Sequence, residues 1–168
     1  MIGIHIRYKG GAEFKRSAIN KVLQQAYAEL GLHWFRQHLP KHFANRASSE
    51  YDYAPRQGER GSGANRKFSA TYTGSKLKRY GHTRPLELTG ASRRQATATA
   101  VVRSTSKSVR VSFPAGNLSF SHPSGRINMR REVEAISAAD RYELGQIMDN
   151  ALERKFKILG SDAKKKVK

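Results

Sequence analysis

The chain has 168 residues, the length of one domain at roughly 150 residues each, and its 38% hydrophobic and 9% aromatic content suffices for an ordinary core. Thirty-two Lys and Arg against thirteen Asp and Glu leave a formal charge of +19, so a polyanionic partner is expected. The absence of Cys excludes disulfides, thiolate metal sites and a cysteine nucleophile; no apolar run approaches the roughly 18 residues of a membrane span, and a soluble, unsecreted protein is expected.

Ile2, Ile4, Ile6 and Tyr8 alternate with Gly3, His5 and Arg7, a period of two that predicts a strand with one apolar face. From Glu13 onward Phe14, Ala18, Ile19, Val22, Leu23, Ala26, Leu30 and Trp34 recur every three or four residues, the stripe of an amphipathic helix. Pro40 is expected to break or kink that helix, because it lacks a backbone donor and its ring collides with the preceding turn. Residues 48–75 show no sustained period and are rich in Gly and small polar residues, which predicts a long mobile arm.

Thr97, Thr99 and Val101, then the polar "RSTSKS", then Val109, Val111 and Phe113 alternating with Arg110 and Ser112 predict a β-hairpin. Leu118 and Phe120 suggest a further short strand. Ser137 followed three positions later by Asp140 has the form of a capping box, opening a last helix with the stripe Leu144, Ile147, Met148, Ala151, Leu152 and Phe156. The expected architecture is a single α+β domain over 1–168: an antiparallel sheet of about four strands packed against a long N-terminal helix and a C-terminal helix, with the arm at 48–75 and a basic tail at 157–168.

Charge is concentrated in the middle. Residues 36–110 carry sixteen basic and four acidic groups, a local +12. Arg56, Arg60, Arg66, Lys67, Lys76, Lys78, Arg79, Arg84, Arg93 and Arg94 are the candidate residues for contact with DNA or with an acidic partner, interleaved with Phe68, Tyr72 and Tyr80. A solvated basic surface accounts for the same composition, and no zinc finger, ribonucleoprotein aromatic motif or GXXG clamp accompanies it.

Catalytic and metal patterns are weak. His38 and His42 have i, i+4 spacing, but Pro40 lies between them and no Glu follows His38, so a surface pair is expected rather than a metal site. His82 and Arg84 beside Tyr80, and Glu50 with Asp52, contain the residue types of phosphodiester or metal-nuclease chemistry without a pattern that fixes their geometry. No catalytic residue, metal or cofactor is assigned.

The stretch "YGHTRPLELTGASRRQATA", residues 80–98, resembles the virion-morphogenesis proteins of tailed bacteriophages, in which a G-x-x-x-PL-x-x-TG-x-L-x-x-S segment precedes a β-hairpin. Gly81, Pro85, Leu86, Thr89 and Gly90 match; Ser92 stands where Leu is expected and Gln95 where Ser is. The upstream "HWFRQHLPKHFANRASSEYDYAPR" and the downstream "INMRREVEAISAADRYELGQIMDNALERKF" are similar to the family's helix end with its connector and to its closing helix. The motif reads as architectural: Pro85 holds Arg84 extended, Leu86 and Leu88 alternate into the core, and Gly90 permits a tight reversal.

The resemblance implies a structural, non-enzymatic virion protein assembled in the host cytoplasm, a neck (head-to-tail connector) or tail-completion component. It further implies a homo-oligomeric ring, six-fold or twelve-fold, around the DNA channel, with portal or adaptor and tail proteins as neighbours and no membrane contact. The rival readings are a basic nucleic-acid-binding protein of another class, ribosomal or chromosome-associated, and a phosphodiesterase or nuclease.

Overall fold

A computed structural model describes residues 14–59, 67–123 and 125–165, with side chains through 160. The expected first strand, Ile2 to Tyr8, lies outside the described residues. The apolar stripe forms α1 (Arg16–His33), which buries Val22, Ala26 and Leu30. Its continuation departs from α geometry. Trp34–His38 is a π-turn, in which the N–H of Leu39 donates to the carbonyl of Trp34, and Leu39–Phe43 is a 3₁₀ turn with Pro40 in its first turn. Pro40 thus sits where a missing donor costs least, and the irregularity falls on the turn before it.

Short helices α2 (Ala47–Glu50), α3 (Tyr72–Tyr80), α4 (Ala91–Ala98) and α5 (Met129–Val133) follow, with the hairpin β1 (Val101–Ser104) and β2 (Val109–Ser112) between α4 and α5. The last helix, α6 (Ala138–Lys165), is 28 residues long. It opens on the capping box read from the sequence: the Asp140 N–H donates to Ser137 Oγ at 3.1 Å and the Ser137 N–H to Asp140 Oδ2 at 3.4 Å. The expected basic tail continues this helix as far as Lys165.

Helices α1 and α6 run antiparallel. Phe14 meets Phe156 at one end, with ring centroids 6.3 Å apart, and His33 meets Glu143 at the other. Between them Val22, Ala26, Leu30, Leu144, Met148, Ala151 and Leu152 make one apolar core. The opposite side of α1 packs on the hairpin. At Gly31 a Cβ would come within 2.6 Å of Val109 Cγ2 and 3.0 Å of Val102 Cγ1, so only glycine allows this approach. A second core joins Leu39, Phe43, Ala47, Tyr51, Tyr53, Leu86, Ala96, Leu118 and Val133, drawn from six short segments of the chain.

The fold is α+β and helix-rich, but its sheet among the described residues is a two-stranded hairpin rather than four strands. Residues 91–98, read in part as strand, form α4 because Gly90, at φ 83°, starts a helix and "ASRRQATA" contains no bulky β-branched run. Leu118 ends a 3₁₀ turn and Phe120 is exposed, so the expected further strand is reduced to an isolated Ser121–Asn128 bridge. Pro114, Gly116 and Pro123 interrupt any longer ladder.

The segment expected as an arm is packed at both ends. Tyr51 and Tyr53 are buried, Thr71 caps α3 by accepting from the Gly74 N–H at 3.2 Å, and the Thr73 N–H donates to the Gln57 carbonyl at 3.1 Å.

Candidate polyanion interface

The structure divides the candidate cations into internal and external sets. Arg56 is 8% exposed, and its guanidinium forks onto the Glu132 carboxylate, with one bond of 2.9 Å to Oε1, a second bond to Oε2 and a further bond of 2.7 Å to the Ala54 carbonyl. Burial pushes the Glu132 carboxyl above its ordinary range in spite of the hydrogen bond and charge of Arg56. Lys76, on α3, is also buried and donates to the Arg84 carbonyl. Burial, reinforced by the charge of Arg56, pushes its ammonium down to about 8. Arg84 pairs with Glu87 at 3.2 Å. Arg56 and Lys76 thus have their partners inside the fold, whereas Arg84 is part-exposed and paired with its near neighbour Glu87.

Lys67, Lys78, Arg79, Arg93 and Arg94 are exposed and have no acidic partner within 4 Å among the described residues. Arg79 lies over the Tyr80 ring at 5.5 Å. Arg60 and Arg66 fall outside the described residues.

The hairpin adds a site that the charge count alone did not isolate. Its register is Val101↔Ser112, Val102↔Val111, Arg103↔Arg110 and Ser104↔Val109. Val102, Val109 and Val111 face α1, and the Gln24 side-chain amide donates to the Ser104 carbonyl at 3.0 Å, fixing that side inward. The opposite face is open, with Val101, Arg103, Arg110 and Ser112 all exposed. Arg103 and Arg110 therefore stand directly opposite each other on the free face, with Lys107 in the turn. Like charges so placed on neighbouring strands repel. The alternation of Arg110 and Ser112 with valines was visible in the sequence; the pairing of Arg110 with Arg103 depends on the turn register, which was not.

The motif residues act as expected only in part. Pro85 and Leu86 are buried, but Leu86 adopts φ 55°, so the chain turns there and Leu88 points outward at 41% exposure instead of alternating into the core. Gly90 starts α4 rather than reversing into a strand, Gly81 takes φ 73° at the end of α3, and Thr89 is exposed. Pro85, Leu86 and Thr89 form part of the wall of a cleft of about 1000 Å³ that Arg56 and Lys76 also line.

The chemical candidates are placed separately. Arg84 is engaged by Glu87, the Tyr80 and His82 rings are 6.5 Å apart, Glu50 pairs with Arg46 at 3.6 Å, and Asp52 is exposed at φ 52°. His38 and His42, expected on the surface, are both fully buried. The irregular turns rotate them inward, where His42 stacks on Tyr51 at 3.9 Å and hydrogen-bonds the Tyr53 hydroxyl, and His38 Nδ1 meets Asp140 Oδ1 at 2.6 Å. Burial pushes the His42 imidazole down to about 4. Burial works against the Asp140 charge, yet the hydrogen bond and charge of His38 hold its carboxyl below the ordinary range.

Among the described residues no helix is long and apolar enough to cross a membrane. Comparison with family models, with curated proteins and with solved structures finds no match.

Proposed function

We propose that this chain is a structural, non-enzymatic protein of a tailed-phage particle, a neck or tail-completion subunit of a closed ring through which DNA passes. The observation that carries the reading is the open hairpin face, where Arg103 opposes Arg110 without an acidic partner within 4 Å among the described residues, close in sequence to the exposed Arg93 and Arg94 of α4. A like-charge rung costs stability in the free subunit. It becomes favourable when phosphate or a neighbour's carboxylates lie over it. The motif at Gly81, Pro85, Leu86, Thr89 and Gly90, which resembles that of the phage virion-morphogenesis proteins, supports the same reading, since these residues shape turns rather than chemistry.

Negative-stain electron microscopy with light scattering of the purified protein, and probing of phage particles for the chain, test the ring. A closed ring that is also found in particles is expected; a strict monomer absent from particles overturns the proposal. Binding to DNA of arbitrary sequence, followed across salt concentrations, tests the charged face. Reversing Arg93, Arg94, Arg103 and Arg110 to Glu is expected to weaken binding and to flatten the salt slope by about one for each phosphate no longer neutralised. The second reading, a basic nucleic-acid-binding protein of another class, is favoured by the same unpaired cations and predicts salt-dependent binding without a ring.

A further inference from the structure

The π-turn after α1 has a consequence independent of charge and of the proposed ring. In an α-helix, residues five apart point about 140° away from each other. In a turn closed by i→i+5 hydrogen bonds they come to one side. His33 and His38 flank this turn, and their rings lie 5.4 Å apart, centre to centre. Both face Glu143 on the first turns of α6. His33 Nε2 is 3.3 Å from Glu143 Oε1, and His38 Nε2 is 3.7 Å from Glu143 Oε2. The donor atoms of His33, His38 and Glu143 all lie within 4.8 Å of one another.

The protonation pattern makes this more than an ion-pair cluster. Asp140 Oδ1, 2.6 Å from His38 Nδ1, accepts the hydrogen bond of an Nδ1–H, the tautomer that leaves the lone pair on Nε2. That Nε2 is fully buried and has no hydrogen-bond partner, and it is directed at a carboxylate oxygen. Two acceptors facing each other repel unless a cation lies between them. The two imidazole nitrogens meet different oxygens of the one carboxylate, at 3.3 and 3.7 Å, so a small rotation of the Glu143 side chain brings the three donors onto one ion bound at about 2.0–2.1 Å. A carboxylate behind the ligating histidine is the usual means of fixing its tautomer and raising its basicity.

We propose that His33, His38 and Glu143 form a binding site for a first-row divalent cation of the zinc class, with Asp140 orienting His38 from behind and a fourth position open to solvent or to a partner's side chain. Two imidazole nitrogens and one carboxylate suit Zn²⁺ and its neighbours rather than Mg²⁺ or Ca²⁺. The ion ties the end of α1 to the start of α6. Lys41 Nζ lies 3.4 Å from both Asp140 Oδ1 and Glu143 Oε2 and opposes the ion by charge, although its side chain is one-third exposed and free to swing away.

The test uses the full chain, free of chelator, titrated with Co²⁺ while the visible d–d bands are recorded, and with Zn²⁺ by calorimetry. One site with the intense absorption of a four-coordinate cobalt centre is expected. His33→Ala and Glu143→Gln, both at partly exposed positions, are expected to weaken binding roughly tenfold or more, Lys41→Met to strengthen it several-fold, and the remote control His82→Ala to leave it unchanged. Circular dichroism checks that each variant is folded. Binding by His33→Ala and Glu143→Gln as tight as by the parent chain, or no binding by the parent at micromolar ion, overturns the site.

Discussion

The seam between α1 and α6 and the wedge that follows the π-turn are two cores of similar extent held by different interactions. The interior of the seam is apolar: Val22, Ala26 and Leu30 on one helix meet Leu144, Met148, Ala151 and Leu152 on the other, with polar contacts at its rim, where Glu29 meets Arg154 at 2.9 Å and Lys155 at 2.7 Å, and at its end, where His33 meets Glu143 at 3.3 Å. The wedge places His38, His42, Tyr51, Tyr53, Arg56 and Glu132 among Leu39, Phe43 and Val133. Apolar burial is non-directional and scales with area. Buried polar groups contribute only while their partners remain in place. The seam should therefore tolerate changes of comparable volume, and the wedge should fail when one member of a pair is removed.

The largest expected effect breaks the wedge. Glu132→Met leaves the Arg56 guanidinium buried without its counter-charge and should cost about 3–5 kcal/mol in urea unfolding, whereas the double variant Arg56→Met with Glu132→Met should recover most of that loss. A single-variant loss below about 1 kcal/mol would show that the pair is solvated and that the wedge is not distinct from the seam.

A pH profile sharpens the contrast next. His42 has a folded value of about 4 against an ordinary 6.5. Between those values the unfolded chain binds the additional proton, so stability is full above pH 6.5, falls as the pH drops toward 4 and then levels off, a loss of about 3 kcal/mol. The groups acting on His42, namely Asp140, Glu132, His38 and Lys41, are retained in His42→Phe. The difference in unfolding free energy between the parent and His42→Phe, measured from pH 7.5 to 4, isolates its titration. The variant should be the less stable at pH 7, because Tyr53 loses its hydrogen-bond partner, and should show a shallower decline in acid.

The smallest effects compare two glycines on the helices of the seam. Gly31→Ala drives a Cβ into Val109 and Val102 and should cost about 1–3 kcal/mol. At Gly145 nothing lies within 4 Å of an added Cβ, so Gly145→Ala should gain about 0.5–1 kcal/mol from helix propensity alone. Paired thermal melts check both signs. A stabilising Gly31→Ala would mean that the hairpin does not pack on α1 as described.

Legibility followed the same division. Both long helices and the Ser137–Asp140 cap are local features, since a stripe at steps of three and four and a reciprocal three-residue spacing require no knowledge of what packs against them. The packing at the ends of the expected arm is not legible locally, because Tyr51 and Tyr53 find their place against His42, and Arg56 against Glu132, 76 positions away. Composition identified the abundance of cations in the middle of the chain but could not distinguish Arg56 and Lys76, which are buried, from Arg93 and Arg94, which are exposed.

The sequence by itself determined the amphipathic helices, the hairpin and the excess of positive charge, because periodicity and net charge are properties of neighbouring residues and of sums. Tertiary structure decided which cations face solvent, that the sheet among the described residues stops at two strands, and that His33 and His38 share a face. The last of these required the i→i+5 turn before Pro40, since an unbroken α-helix would have placed the two rings on different sides.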